Sequence, residues 1–250
     1  MPYGLYISAE GAQAQADRLD VLANNLANVD TPGFKRDVPV FQARLAEAIE
    51  QGQAVAGSGS MNDIGGGVLL THTEIDFAAG PLKHTGAKLD MALRSDAFFA
   101  VQKDGETFLT RAGSFEINGN NQLVTQQGFA VLNDTGSPIA IDPNLGPWQV
   151  NAEGAIEQLG SITRLGIVRP DSTDQLQKVG ANLFQVQGKA SAVGLQDRRV
   201  ATGFLEGSGV NPTSEMMELI ETTRAFEANV TLIQSQDEVL RDMIGRLLRV

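Results

Sequence analysis

The stretch VLANNLANVDTPGFKR (Val21–Arg36) decides how the chain begins. Apolar residues at helical spacing carry Asn24, Asn25 and Asn28 through the last two turns, and Asp30-Thr31-Pro32-Gly33 then stops the pattern. The stop is local chemistry: the residue before Pro32 disfavours the α region, and Gly33 supplies a flexible turn. Asparagine is a mediocre helix former. Three of them near one helix end need a role.

Working back from that stop, one helix is predicted from Leu5 to Val29. A seven-residue frame puts Leu5, Ala12, Leu19 and Leu26 at one seam position and Ser8, Gln15, Leu22 and Val29 at the other. The first half of that seam is weak, so the helix needs a partner. A matching stripe lies at the far end of the chain. Asn211-Pro212 reads as an N-cap and first helical residue, and Leu219, Phe226, Ile233, Leu240 and Leu247 then recur every seven residues. Met216, Thr223, Val230, Asp237 and Ile244 form the expected companion seam. Such a repeat is a coiled-coil signal. The simplest way to bury both stripes is to pair the two terminal helices.

Between them the pattern changes. VFQARLAEAIEQ (Val40–Gln51) reads as a short helix, and the Gly- and Ser-rich run Gly52–Gly67 as a connector or extended arm. From about Val68 to Phe204, short runs such as FFAVQ, TFLTR, SFEIN, QLVTQ, FAVLN, PIAID, AIEQL, ITRLGIV and NLFQV alternate with turn residues. Closely spaced strands and turns of this kind indicate antiparallel β-structure. The expected fold class is α+β: paired N- and C-terminal coiled-coil helices with an inserted, mostly antiparallel β-rich domain. Residues 1–45 would be the N-terminal helical part, 46–80 the connector, 81–205 the β-rich domain and 206–250 the closing helix.

Composition narrows the function. The 250 residues carry a net charge of −11, which argues against a nucleic-acid surface, since phosphate binding needs a basic stripe. Cysteine is absent, so there is no disulfide framework, thiol nucleophile or Cys-ligated metal. No apolar run reaches the roughly 18 residues of a membrane-spanning helix, so no membrane insertion is expected. The N-terminal stretch lacks the basic and apolar regions of a cleaved secretory signal. Catalytic patterns are poor. His72 and His84 are flanked by Thr and Lys rather than by carboxylates at ligand spacing, and ordinary surface histidines explain them better than a metal or a triad. GSGS and GGG lack the Lys-Ser/Thr of a phosphate loop. Asp90 and Arg111 are placed to form a partly buried ion pair, a structural role being favoured over catalysis. No catalytic residue, metal site or cofactor is expected.

Three blocks, in order, carry a resemblance. NNLANVDTPGFKR, TGAKLDMALRSDAFFAVQKDGETFLTRAGSF and LEGSGVNPTSEMMELIETTRAFEANVTLIQSQDEVL resemble the signatures of the bacterial flagellar basal-body rod and hook family. Gly209 departs from the family's usual Asn and bears only on a local turn. The resemblance implies a non-enzymatic axial subunit whose terminal helices pair and pack into the inner wall of a helical tube, with the β-rich domain outside it. It implies partners among other rod and hook-family subunits, export through the flagellar type III apparatus without a cleaved signal, and a place in the basal body. A single β region in a chain of this length resembles a rod protein more than a hook protein, and the proximal-rod type is preferred to the distal. The alternatives are a distal-rod or hook subunit, or, in another class, a secreted β-domain enzyme or carbohydrate-binding protein with helical oligomerisation ends. In the heptad frame Asn24 and Asn28 point away from the intrachain seam and Asn25 flanks it. An uncharged amide donates and accepts without burying a charge, so these positions suit a neighbouring subunit. The expected subunit interface is therefore Leu19, Leu22, Asn24, Asn25, Leu26, Asn28, Leu219, Phe226, Val230, Ile233 and Leu240.

Overall fold

The computed structural model describes residues 3–45, 49, 51, 52, 55, 57, 65–142, 144 and 146–247. They fall into two units. The first comprises the described residues of Met1–Ala27, Arg36–Asp76 and Asn211–Val250; the second comprises Asn28–Lys35 and Phe77–Val210.

The first unit holds helix α1 (Tyr3–Ala27), strands β1 (Arg36–Arg44) and β2 (Gly67–Asp76), and helix α2 (Pro212–Leu247). Helix α1 ends two residues before the expected Val29, where Thr31 donates its N–H to the carbonyl of Asn28 and opens a turn. Helix α2 starts as its sequence predicts: the Asn211 side chain accepts from the N–H groups of Thr213 and Ser214. The two helices run antiparallel. A Cβ placed on Gly4 would lie 3.1 Å from the Gln236 amide, and one on Gly11 would lie 3.3 Å from that of Asn229. Helix α1 also packs on the β1–β2 ribbon.

That ribbon corrects the expected short helix. Residues Val40–Arg44 are the end of β1, paired with β2 from Arg36↔Asp76 to Arg44↔Gly67. Residues 46–48 and 50 of the expected helix lie outside the described residues. The reason is a long-range partner: Val38, Val40 and Phe41 are good strand formers, and VLLTHTEID supplies a complementary strand. Likewise, the stretch expected as a connector contains β2 over its second half.

The second unit is built from short strands. They are β3 (Leu82–His84), β4 (Met91–Leu93), β5 (Phe98–Lys103), β6 (Glu106–Thr110), β7 (Phe115–Ile117), β8 (Leu123–Thr125), β9 (Ala130–Val131) and β10 (Trp148–Val150). Then follow β11 (Ala155–Gln158), β12 (Ser161–Arg164), β13 (Ile167–Pro170), β14 (Leu176–Gly180), β15 (Leu183–Val186), β16 (Ala190–Ala192), β17 (Val200–Thr202) and β18 (Phe204–Glu206). The main sheet runs β14-β15-β6-β5-β9-β8-β7, with β13 pairing both β5 and β16. A three-stranded sheet β10-β11-β12 and the pairs β17–β4 and β18–β3 complete it. Each of these pairings is antiparallel, and the short hairpins such as β5–β6 and β11–β12 require it. The expected strand ITRLGIV is two strands, broken at Leu165-Gly166, where the Gly166 N–H turns to the carbonyl of Leu132. Met91, Phe99, Val101, Phe115, Leu123, Ile141, Leu165 and Leu183 lie in one buried apolar cluster.

Candidate assembly interface

Four charged side chains join the elements at the base of the helix pair. Arg36, the first residue of β1, bonds to Glu215 in the first turn of α2 and lies 3.3 Å from Glu218. Arg18 of α1 reaches Glu218 at 3.4 Å. Burial lowers the Arg36 pKa, but the hydrogen bond and charge of Glu215, with Glu218 and Asp76, more than offset it, so the net shift is upward. The guanidinium stays charged where the strand meets the helix.

The asparagines divide by position. Asn25 is fully buried; its Nδ2 donates to the Asp37 carbonyl at 2.8 Å and its Oδ1 accepts from the Asp37 N–H at 2.9 Å. It imitates a strand partner for β1. The amide thus bonds within the chain, through both its nitrogen and its oxygen, rather than at the surface where a subunit contact was expected. Asn28 is half-buried and its Oδ1 accepts from the Thr31 hydroxyl at 3.2 Å, so it closes the turn that ends α1. Asn24 is exposed on α1.

Along the helix pair, Leu22 is buried, while Leu19, Leu26, Leu219, Phe226, Val230, Ile233 and Leu240 are each half-buried. The stripe Leu219-Phe226-Ile233-Leu240 is thus on the intrachain side of α2, though not fully covered. Its companion is not the expected one. Glu215 and Thr222 are buried and Asn229 and Gln236 half-buried, whereas Met216 and Ile244 are 48% and 56% exposed. The correction has a steric cause: α1 presents Gly4 and Gly11, which leave room for amides rather than needing apolar knobs. Met216, Met217, Ile220, Leu232, Val239, Met243 and Ile244 are each about half exposed or more. Exposed apolar residues of this density on one helix mark an interaction face. Met217, Ile220, Leu232, Val239 and Met243 lie off both expected seven-residue rows, whereas Met216 and Ile244 belong to the expected companion row.

In the second unit, Arg111 does not pair with Asp90. Asp90 bridges Ser114 through its backbone, and Arg111 bonds to Glu206 at 3.3 Å. His72 lies 3.5 Å from Glu74 on an exposed strand, and His84 packs edge-on against Phe204. No group of metal-ligating side chains occurs among the described residues, and no described helix is long and apolar enough to cross a membrane.

The chain is a paired-helix unit with an antiparallel β unit inserted, in sequence, between its two helical segments. Three family profiles match the chain: "Flagella basal body rod protein" over residues 5–35, "Flagellar hook protein FlgE/F/G D1 domain" over 92–158 and "Flagellar basal body rod FlgEFG protein C-terminal" over 201–246. The flagellar basal-body rod protein FlgF of Caulobacter vibrioides is 34% identical over 100% of both chains. FlgG of Bacillus subtilis is 30% identical over 96% of this chain and 97% of its own, and FlgF of Mesorhizobium japonicum 30% identical over 97% and 98%. The chain belongs to the flagellar basal-body rod protein family.

Proposed function

We propose that this rod-family structural protein is a proximal-rod-type subunit that polymerises through α1 and α2, its helix pairs forming the wall of a tube that transmits torque. The observation that carries the reading is the outward apolar set on α2. Met216, Ile220, Leu232, Val239 and Met243 stay exposed although the stripe beside them is already used within the chain. Helices of neighbouring subunits would cover that set, together with the half-covered Leu219, Phe226, Val230, Ile233 and Leu240 and the exposed Asn24. FlgF and FlgG relatives both match over nearly the whole chain, and the support for the proximal type is the 34% identity to FlgF of Caulobacter vibrioides against 30% to FlgG of Bacillus subtilis. Other rod and hook-family subunits are the proposed axial neighbours, the flagellar type III apparatus the proposed export route without a cleaved signal, and the basal body the site of action.

The test is negative-stain microscopy of concentrated protein, wild type against Ile220→Asp/Val239→Asp. Ordered tubular assemblies are expected for wild type and only dispersed particles for the double variant, with equal helix content by circular dichroism. Assembly undiminished by two buried carboxylates would refute an interface on this face.

A further inference from the structure

Within the second unit, the eight residues Asn28–Lys35 behave as a peptide held in a site made by the rest. Gly33 donates its N–H to the Glu206 carbonyl at 2.8 Å, and the Phe34 carbonyl accepts from Gly209 at 2.9 Å. Asn182 Nδ2 donates to the Pro32 carbonyl at 3.1 Å, and Lys178 Nζ to the Lys35 carbonyl at 2.6 Å. These main-chain bonds seat the segment, while two side chains identify it. Phe34 is buried with the Lys178 ammonium 4.3 Å from its ring centre, a cation–π contact. Lys35 is 1% exposed, and its Nζ donates to Glu206 Oε1 at 2.7 Å and to the carbonyls of Ala78 at 2.8 Å and Phe77 at 3.4 Å. Gly33 is required for a third reason. Its φ is +68°, and a Cβ would lie 2.5 Å from the backbone of Arg111 and Ala112. The site thus reads Gly, Phe and Lys in turn.

Two observations say that the site survives without its occupant. Phe34 is buried but is not among the residues of the unit's main apolar cluster. Glu206 also keeps partners of its own when Lys35 is withdrawn: Arg111 NH1 at 3.3 Å and the Gly80 N–H at 3.2 Å. Removing the segment leaves a buried one-to-one ion pair rather than a stranded carboxylate.

We propose that residues 77–210 form a preformed receptor for the Pro-Gly-Phe-Lys segment, occupied in cis by Asn28–Lys35 and able to take the same sequence in trans as a free peptide or from a second copy of the chain.

The test uses the full chain and a fluorescein-labelled synthetic peptide of residues Asn28–Arg36. Gly33→Ala expels the chain's own segment by backbone clash; Lys35→Met is the milder second variant, removing the ammonium and leaving Glu206 with Arg111. Both variants should keep cooperative unfolding and the emission of Trp148, the only tryptophan, which packs against the core. Both should bind the peptide one-to-one by fluorescence anisotropy. Wild type should bind it at least tenfold more weakly, its own segment being present at high effective concentration. A peptide carrying Met in place of Lys35 should bind either variant at least about tenfold more weakly, as loss of a charged hydrogen bond predicts. Loss of cooperative folding in both variants overturns the proposal, since the segment is then part of the core. Folded variants that ignore the peptide overturn it equally, as does equal binding by wild type or of the Met peptide.

Discussion

Lys35 and Glu206 stand 171 residues apart in the chain and 2.7 Å apart in space, both sealed from solvent. Arg111 shares the same carboxylate. Burial lowers the Arg111 pKa, and the charges of Glu206 and Asp96 offset it only in part. One anion therefore serves two buried cations.

The two ends of this cluster are unequal under mutation. Glu206→Gln strands two buried cations and should cost about 3–5 kcal/mol, the usual result of breaking a buried pair from one side. Lys35→Met leaves Glu206 with Arg111 and should cost clearly less. Thermal unfolding followed by Trp148 emission checks the order, and equal losses would contradict it.

Asn25 and Asn24, neighbours in sequence, should separate by phenotype. Asn25→Ala leaves the N–H and carbonyl of Asp37 without their amide partner and should destabilise the helical unit by about 1–3 kcal/mol. Asn24→Glu changes an exposed position and should still allow the chain to fold, yet abolish tubular assembly by bringing an unpaired carboxylate into a subunit contact. Circular dichroism and microscopy on the two variants measure both effects.

On α2, Phe226→Ala and Ile233→Ala remove half-buried seam residues. Each should weaken the isolated chain by about 1–2 kcal/mol, less than full burial would imply, and assembly should suffer more. Glu221→Ala and Gln234→Ala, both exposed, should alter neither. Swimming by cells that express only the Phe226→Ala form gives the readout; wild-type motility would remove Phe226 from the interface.

Gly113, in the Thr-Arg-x-Gly-x-Phe block, has no room for a side chain. A Cβ there would sit 1.6 Å from the Met91 carbonyl oxygen, which lies beside the Met91–Gly113 hydrogen bond at the centre of the β unit. Gly113→Ala should exceed the roughly 1–3 kcal/mol of ordinary overpacking and leave no cooperative β-unit melt.

The terminal helices and the antiparallel middle were legible because their signals are local: seven-residue recurrence, an Asn-Pro cap, and strands punctuated by Gly and Asn turns. The β1 strand was not. Val40–Arg44 has a helix-like pattern taken alone, and only pairing with β2 decides it. The companion seam of α2 was missed for a related reason. Met216 and Ile244 look like better seam residues than Glu215 and Gln236 until α1 is seen to present Gly4 and Gly11. Arg111 was singled out correctly as a buried cation, but its carboxylate comes from Glu206, far along the chain, and no spacing rule connects them. Gly209, which departs from the family's usual Asn, makes a main-chain bond to Phe34 that any residue but proline can supply.

The heptad glycines of α1 have one more implication. Gly4 faces Gln236 and Gly11 faces Asn229, so the pair is graduated in equal steps of seven residues, about 10.5 Å each. Shifted by one graduation, Gly11 would meet Thr222 and Gly4 would meet Asn229, side chains no bulkier than the present ones. At these two glycines shape alone does not choose between the settings. The choice is made at one end, where Asn25 grips β1 and Arg36 of that strand grips Glu215. The helix pair is a scale pinned at its base, and its free length takes its alignment from that pin.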